Sequence, residues 1–193
     1  LLSYIPSKVI PAFVGFFSVM LYTRILTPDQ YGNYNLIITT VGIFSSIFLG
    51  WISRSSIRFY KKYEINKEID IFLSTIVFLV LIITIFILII FYSIDNFLLN
   101  IFDFNLIRYF KYAIFLIPLR GFFSVIKNIR RAKSHSLYYS SFVGANSLLK
   151  FFISIFLLFF TDLRVNAIVF GMILSYILIS IYELYNYKYN FKI

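Results

Sequence analysis

Two cations sit deep in apolar sequence. Lys150 interrupts the run SLLKFFISIF, and Arg120 follows Pro118 in LIPLRGFF. A Lys or Arg near the centre of a bilayer costs roughly 2.5–3.5 kcal/mol on insertion scales, so each needs a partner, water or a route to the surface. Asn146 and Ser154 share the helical face of Lys150 at i−4 and i+4, about 19 Å into a helix that starts near residue 137. Arg120 opens a stripe with Ser124, Lys127 and Arg131. No Asp or Glu falls inside the apolar runs. The partners open to these cations are therefore an anionic substrate, a carboxylate from another part of the protein, or a lipid phosphate. Snorkelling toward the membrane surface is the alternative for both, and it has more force for Arg120, which lies nearer a helix end.

Other chemistries lack their residues. The chain has no Cys and a single histidine, His135, in a basic stretch between apolar runs, so neither a thiolate site nor a histidine-rich metal cluster is expected. No Ser-His-Asp arrangement, paired-carboxylate site or glycine-rich phosphate loop occurs, which argues against an enzyme and against a bound cofactor. The missing intramembrane carboxylates also weigh against proton or sodium coupling through these segments.

The elements that must position the cations are membrane helices. Of 193 residues, 61% are hydrophobic, 22% aromatic and only 13% charged, and mean hydropathy is +0.88. A soluble domain carries about 25% charged residues, so a water-soluble globule is excluded. Six apolar runs approach the roughly 20 residues needed to cross a bilayer: 3–23, 30–53, 71–94, 106–128, 137–160 and 165–182. The runs are continuous, with none of the alternation of a membrane barrel, and the expected fold is an all-α bundle of six spans forming a single lobe over residues 1–193.

Basic residues set the expected orientation. One side holds twelve: Lys8, Arg54, Arg58, Lys61, Lys62, Lys67, Lys127, Arg130, Arg131, Lys133, Lys188 and Lys192. The other holds Arg24, Arg108, Lys111 and Arg164, beside Asp29, Asp95, Asp103 and Asp162. Both termini are expected in the cytoplasm. The net charge of +10 then reflects topology and anionic lipid headgroups, with no soluble basic domain to bind nucleic acid.

The third run is apolar nearly all round. The second carries Asn35, Thr39, Gly42, Ser46, Gly50 and Ser53 at steps of three or four, one small and polar stripe along its length. Close packing through small residues and the border of a water-filled cavity both account for it. The first run repeats the pattern more weakly with Ser7, Pro11, Gly15, Ser18 and Tyr22. Between these runs Thr27, Pro28 and Gln30 supply a cap, a first-turn proline and a capping box, and Gly32 permits a close approach.

The stretch TRILTPDQYGNYNLIITT, 23–40, followed by GWISRSSIRFYKKY, 50–63, resembles the start of the polysaccharide transport proteins. That family includes the O-antigen flippases of the multidrug/oligosaccharidyl-lipid/polysaccharide exporter superfamily. Arg24, Pro28, Tyr31 and Gly32 match its turn after the first helix, with Thr27 in place of the usual Gly, and Arg58 and Phe59 match the basic-aromatic pair ending the second. The stretch 130–176 is similar to the fifth and sixth helices by pattern.

The resemblance implies the N-terminal lobe of a two-lobed transporter. The chain begins at Leu1 inside an apolar run, without an initiator Met, and reads as a fragment of which the C-terminal lobe is a missing partner. Such transporters move a polyprenyl-diphosphate-linked oligosaccharide by alternating access, with cations in the cavity receiving the diphosphate. By position Lys8, Arg24, Arg54 and Arg58 are candidate contacts, joined on the charge argument by Arg120 and Lys150. Asn35, Thr39, Gly42 and Ser46 are candidate cavity-lining residues. A cation-coupled drug exporter of the same superfamily and a membrane protein without transport activity are the alternatives.

Overall fold

A computed structural model describes residues 4–98, 104–133 and 136–190; Asp103, His135 and Lys192 lie outside them. Seven helices are found there: α1 Pro6–Ile25, α2 Pro28–Ile65, α3 Ile69–Leu98, α4 Phe104–Ala113, α5 Leu116–Ala132, α6 Ser136–Phe160 and α7 Val165–Asn190. Six stretches are long and apolar enough to cross a membrane, with Tyr109–Ala132, from α4 into α5, counting as one. The fold is the expected all-helical membrane bundle, and no strand occurs among the described residues.

Helices overrun the spans expected for them, α2 the furthest and α3, α5 and α7 by less. α2 continues to Ile65, 38 residues or about 57 Å. Arg54, Arg58, Lys61 and Lys62, expected in a loop, therefore sit on helix, because charge ends the apolar run without breaking the backbone pattern. α5 likewise keeps Lys127, Arg130 and Arg131 helical. The fourth span, expected as one helix over 106–128, is divided at Ile114 and Phe115. Pro118 has no N–H to offer the Ile114 carbonyl, and the Ile117 N–H takes its place at 3.1 Å in a tighter turn.

The turn into α2 follows its local chemistry. Thr27 Oγ1 accepts from the Gln30 N–H at 3.4 Å, and the Thr27 N–H donates to Gln30 Oε1 at 3.2 Å. This capping box satisfies two donors that would otherwise have no intrahelical partner. At the other end Lys67 adopts φ 58, and the Glu68 N–H reaches back to the Tyr63 carbonyl at 2.9 Å, turning the chain into α3.

α2 and α5 form the spine. They run parallel with a sequence offset between 71 and 75, marked by hydrogen-bonded rungs. Ser45 Oγ donates to the Ile117 carbonyl at 3.2 Å. The hydroxyls of Ser53 and Ser124 share a bond at 2.7 Å, and Asn128 Nδ2 donates to the Ser53 carbonyl at 2.7 Å and to its Oγ at 2.6 Å. Between the rungs Leu49 fills the space left by Gly121, where a Cβ would stand 2.8 Å from the Leu49 Cβ. α3 packs on both α2 and α5, α7 packs on α6 and α5, and α1 lies mainly along α6. α6 and α7 approach through their backbones, because a Cβ on Gly171 would stand 2.6 Å from the Ser154 Cα.

Two outcomes follow. Cysteines placed at Asn66 and Asp162, both exposed and separated by three spans, will react with a membrane-impermeant thiol reagent from opposite sides of the membrane. Reaction of both from one side in intact cells contradicts the six-span arrangement. Gly171→Ala should destabilise the protein by roughly 1–3 kcal/mol by prising α6 from α7. Gly15→Ala, on an exposed helical face with nothing within 4 Å of the new Cβ, should be neutral or stabilising. The melting temperatures of the two purified variants in detergent make the comparison.

Candidate functional site

The α2–α5 spine does not close completely. Beside the rungs, where α6 and α7 complete the wall, lies a cavity of about 380 Å³. Arg120 and Lys127 reach it from α5, Lys150 from α6, and Tyr176 from α7, while α2 contributes Ser45, Ser46 and Gly50. Three cations thus meet in one place. No carboxylate stands among the described residues that line it.

Each cation is placed by an identifiable local feature. Arg120, exposed at the mouth of the cavity, lies one turn after the Ile114–Phe115 break, and its guanidinium rests on α2 at Gly42, where a Cβ would stand 3.2 Å from Nη1. The glycine makes room for that flat group. Lys127 follows two helical turns later on the same face, half-buried, with Ser124 between them tied to Ser53. Lys150 extends from the middle of α6 and donates to Tyr176 Oη at 3.0 Å. Its ammonium also stands 4.5 Å from the centre of the Tyr176 ring, within cation–π range.

The electrostatics of the site are one-sided. Arg120, Lys150 and Arg131 each repel the Lys127 ammonium. The ion pair in the vicinity, Arg130 with Glu183, joins α5 to α7 and draws its carboxylate from the end of the last span. It does not include the three cavity cations, which have no carboxylate beside them among the described lining residues. A cluster of this kind, surrounded by hydroxyl donors and apolar walls, is suited to hold an anion with several oxygens.

The expected site residues divide into two groups. Arg120 and Lys150, 30 positions apart in sequence, come together in the cavity with Ser46, and Gly42 lies under Arg120. Lys8, Arg24, Arg54 and Arg58 are exposed on α1 and α2 and do not line it. Arg58 instead lies over the Phe59 ring at 5.6 Å. Asn35 and Thr39 are exposed too, on the part of α2 before the level at which α5 begins opposite Ser45. The polar stripe therefore serves both purposes open to it: Gly42, Ser46 and Gly50 border the cavity or its Arg120, and Ser53 packs and bonds to α5.

Sequence reasoning missed Lys127 and Tyr176. Lys127 was legible in the stripe it forms with Arg120, Ser124 and Arg131, but its neighbours Arg130, Arg131 and Lys133 made it look like part of a basic loop. The partner of Lys150 was expected to be anionic. The structure supplies a neutral one, Tyr176, from a helix 26 residues away, and no local spacing announces that pairing.

Searches among curated proteins and among solved structures return no match. A family model described as polysaccharide biosynthesis protein matches residues 1–193, the full length of the chain. With six apolar spans, α2, α5, α6 and α7 among them lining a cationic cavity, the chain is a multi-pass membrane protein that belongs to this family of polysaccharide and O-antigen flippases in the exporter superfamily.

Proposed function

We propose that this chain forms the N-terminal lobe of a flippase that carries a polyprenyl-diphosphate-linked oligosaccharide across the bacterial inner membrane for surface polysaccharide synthesis. The observation that carries the reading is the meeting of Arg120, Lys127 and Lys150 in one cavity with no carboxylate among the described residues that line it. A diphosphate linker is the part of such a substrate that carries charge, and it loses hydration on leaving the aqueous phase. Fixed cations in a low-dielectric cleft replace that hydration.

The glycan needs no charge from this site, and the polyprenyl chain finds apolar surroundings in the lipid and along exposed helix faces. Both termini are assigned to the cytoplasm by the distribution of basic residues, so the anion enters from the side where Arg131 stands. Lys8, Arg24, Arg54 and Arg58, with Asn35 and Thr39, are exposed on α1 and α2, and we assign them to the surface over which a second lobe closes. Rocking of two lobes about a shared midplane site is the transport scheme that such a half-site fits. Membrane lipids, the lipid-linked substrate and the second lobe are then the partners of the chain.

Replacing Arg120, Lys127 or Lys150 by Gln in the full-length transporter should lower glycan export about tenfold each, the size expected when one charged hydrogen bond is lost. Lys150→Arg should retain most of the activity, because charge is kept. Export is read as surface polysaccharide in cells that lack their own flippase, at equal membrane abundance of each variant. Wild-type export by the triple glutamine variant contradicts the assignment and leaves these residues as structural cations, whose neutralisation at mid-membrane removes an insertion cost.

A further inference from the structure

Lys150 is not simply left in the cavity; α7 holds it. Tyr176 is 6% exposed, lines the cavity and meets the ammonium through both its hydroxyl and its ring. The tyrosine is itself fixed. Its ring packs against Phe123 at 5.4 Å, Phe123 stacks on Phe142 at 4.9 Å with 12° between the planes, and the Arg130 guanidinium lies 5.0 Å from the Phe142 ring centre. Arg130 pairs with Glu183, two turns beyond Tyr176 on the same helix. This column of rings and charges links α5, α6 and α7, so the hydroxyl has little freedom to move.

A phenolic hydroxyl has one hydrogen and oxygen lone pairs to accept with. The bond from Lys150 uses a lone pair, which leaves the Tyr176 hydrogen to donate into the cavity, and two of the three ammonium hydrogens remain as well. We propose that Tyr176 positions Lys150 and acts with it as a joint donor to the bound oxyanion. The ligand class is a phosphate-type polyanion, so the inference rests on the proposed function and adds a neutral residue that sets the geometry of the site. The cation supplies charge; the fixed hydroxyl supplies a direction, and so favours an oxyanion with several acceptor oxygens over a compact monovalent one.

The test uses the full-length protein in lipid nanodiscs, with inorganic pyrophosphate as probe. Acetylation of Lys150 by an amine-reactive reagent is followed by mass spectrometry at fixed pH while pyrophosphate is raised. Pyrophosphate should protect Lys150 in the wild type. Tyr176→Phe keeps the ring and its packing but loses the hydroxyl, and should raise the half-protecting concentration about tenfold. Tyr176→Leu also loses the ring face and should raise it roughly a hundredfold. Equal half-protecting concentrations in wild type and Tyr176→Phe overturn the role of Tyr176 while leaving the anion site standing. Failure of pyrophosphate to protect wild-type Lys150 overturns the anion site and this inference with it.

Discussion

Like charges gathered at one cavity of an apolar bundle repel one another, and the organisation of this chain follows from that constraint. Arg120, Lys127 and Lys150 line one cavity with no carboxylate among the described residues beside them. Such an arrangement raises the energy of the empty site, and on the function proposed above an entering anion lowers it. The same residues paired with buried carboxylates would make a firmer bundle and a poorer anion receptor. Arg130 shows the contrast, because it has Glu183 as partner and joins two helices.

Holding three cations in place without neutralising them requires rigid surroundings. The α2–α5 spine provides these through small residues in a parallel register: Ser45, Leu49 and Ser53 of α2 meet Ile117, Gly121 and Ser124 of α5 at nearly constant offset. Hydroxyls that bond across this seam are satisfied within the protein, so the two helices stay joined at the rungs beside the cavity. Gly171 against Ser154 does the same for α6 and α7. Those two helices bring Lys150 and Tyr176 together, and the aromatic contacts of Tyr176 with Phe123 and of Phe123 with Phe142 tie the pair back to α5 and α6.

The spans were legible because hydrocarbon thickness and charge cost are strong, local constraints on composition. The Thr27–Gln30 capping box was legible for a related reason, since all its partners lie within one turn. Helix ends were less so. Arg54 to Lys62 end the apolar run of α2, yet Lys and Arg are good helix formers, and the helix continues through them. Pro118 was visible, but whether it would kink a span or divide it depended on the carbonyl of Ile114 finding another donor. Of the site, the intramembrane cations could be read as anomalies, whereas their convergence could not. The chain has 16 tyrosines, and choosing Tyr176 as the partner of Lys150 requires knowing how α6 packs on α7. The first half of the polar stripe of α2 shows the same limit from the other direction. Asn35 and Thr39 have the same spacing as Gly42 and Ser46, but they lie before the level where α5 supplies a facing wall.

The most direct measurement is a structure of the full-length protein determined with a polyprenyl-diphosphate-linked oligosaccharide, the proposed substrate. The two phosphates are predicted to lie between Arg120, Lys127 and Lys150, within hydrogen-bond reach of the guanidinium and both ammonium groups, with the Tyr176 hydroxyl still on Lys150. Phosphates bound elsewhere in the protein, with this cavity holding only water, would contradict the account.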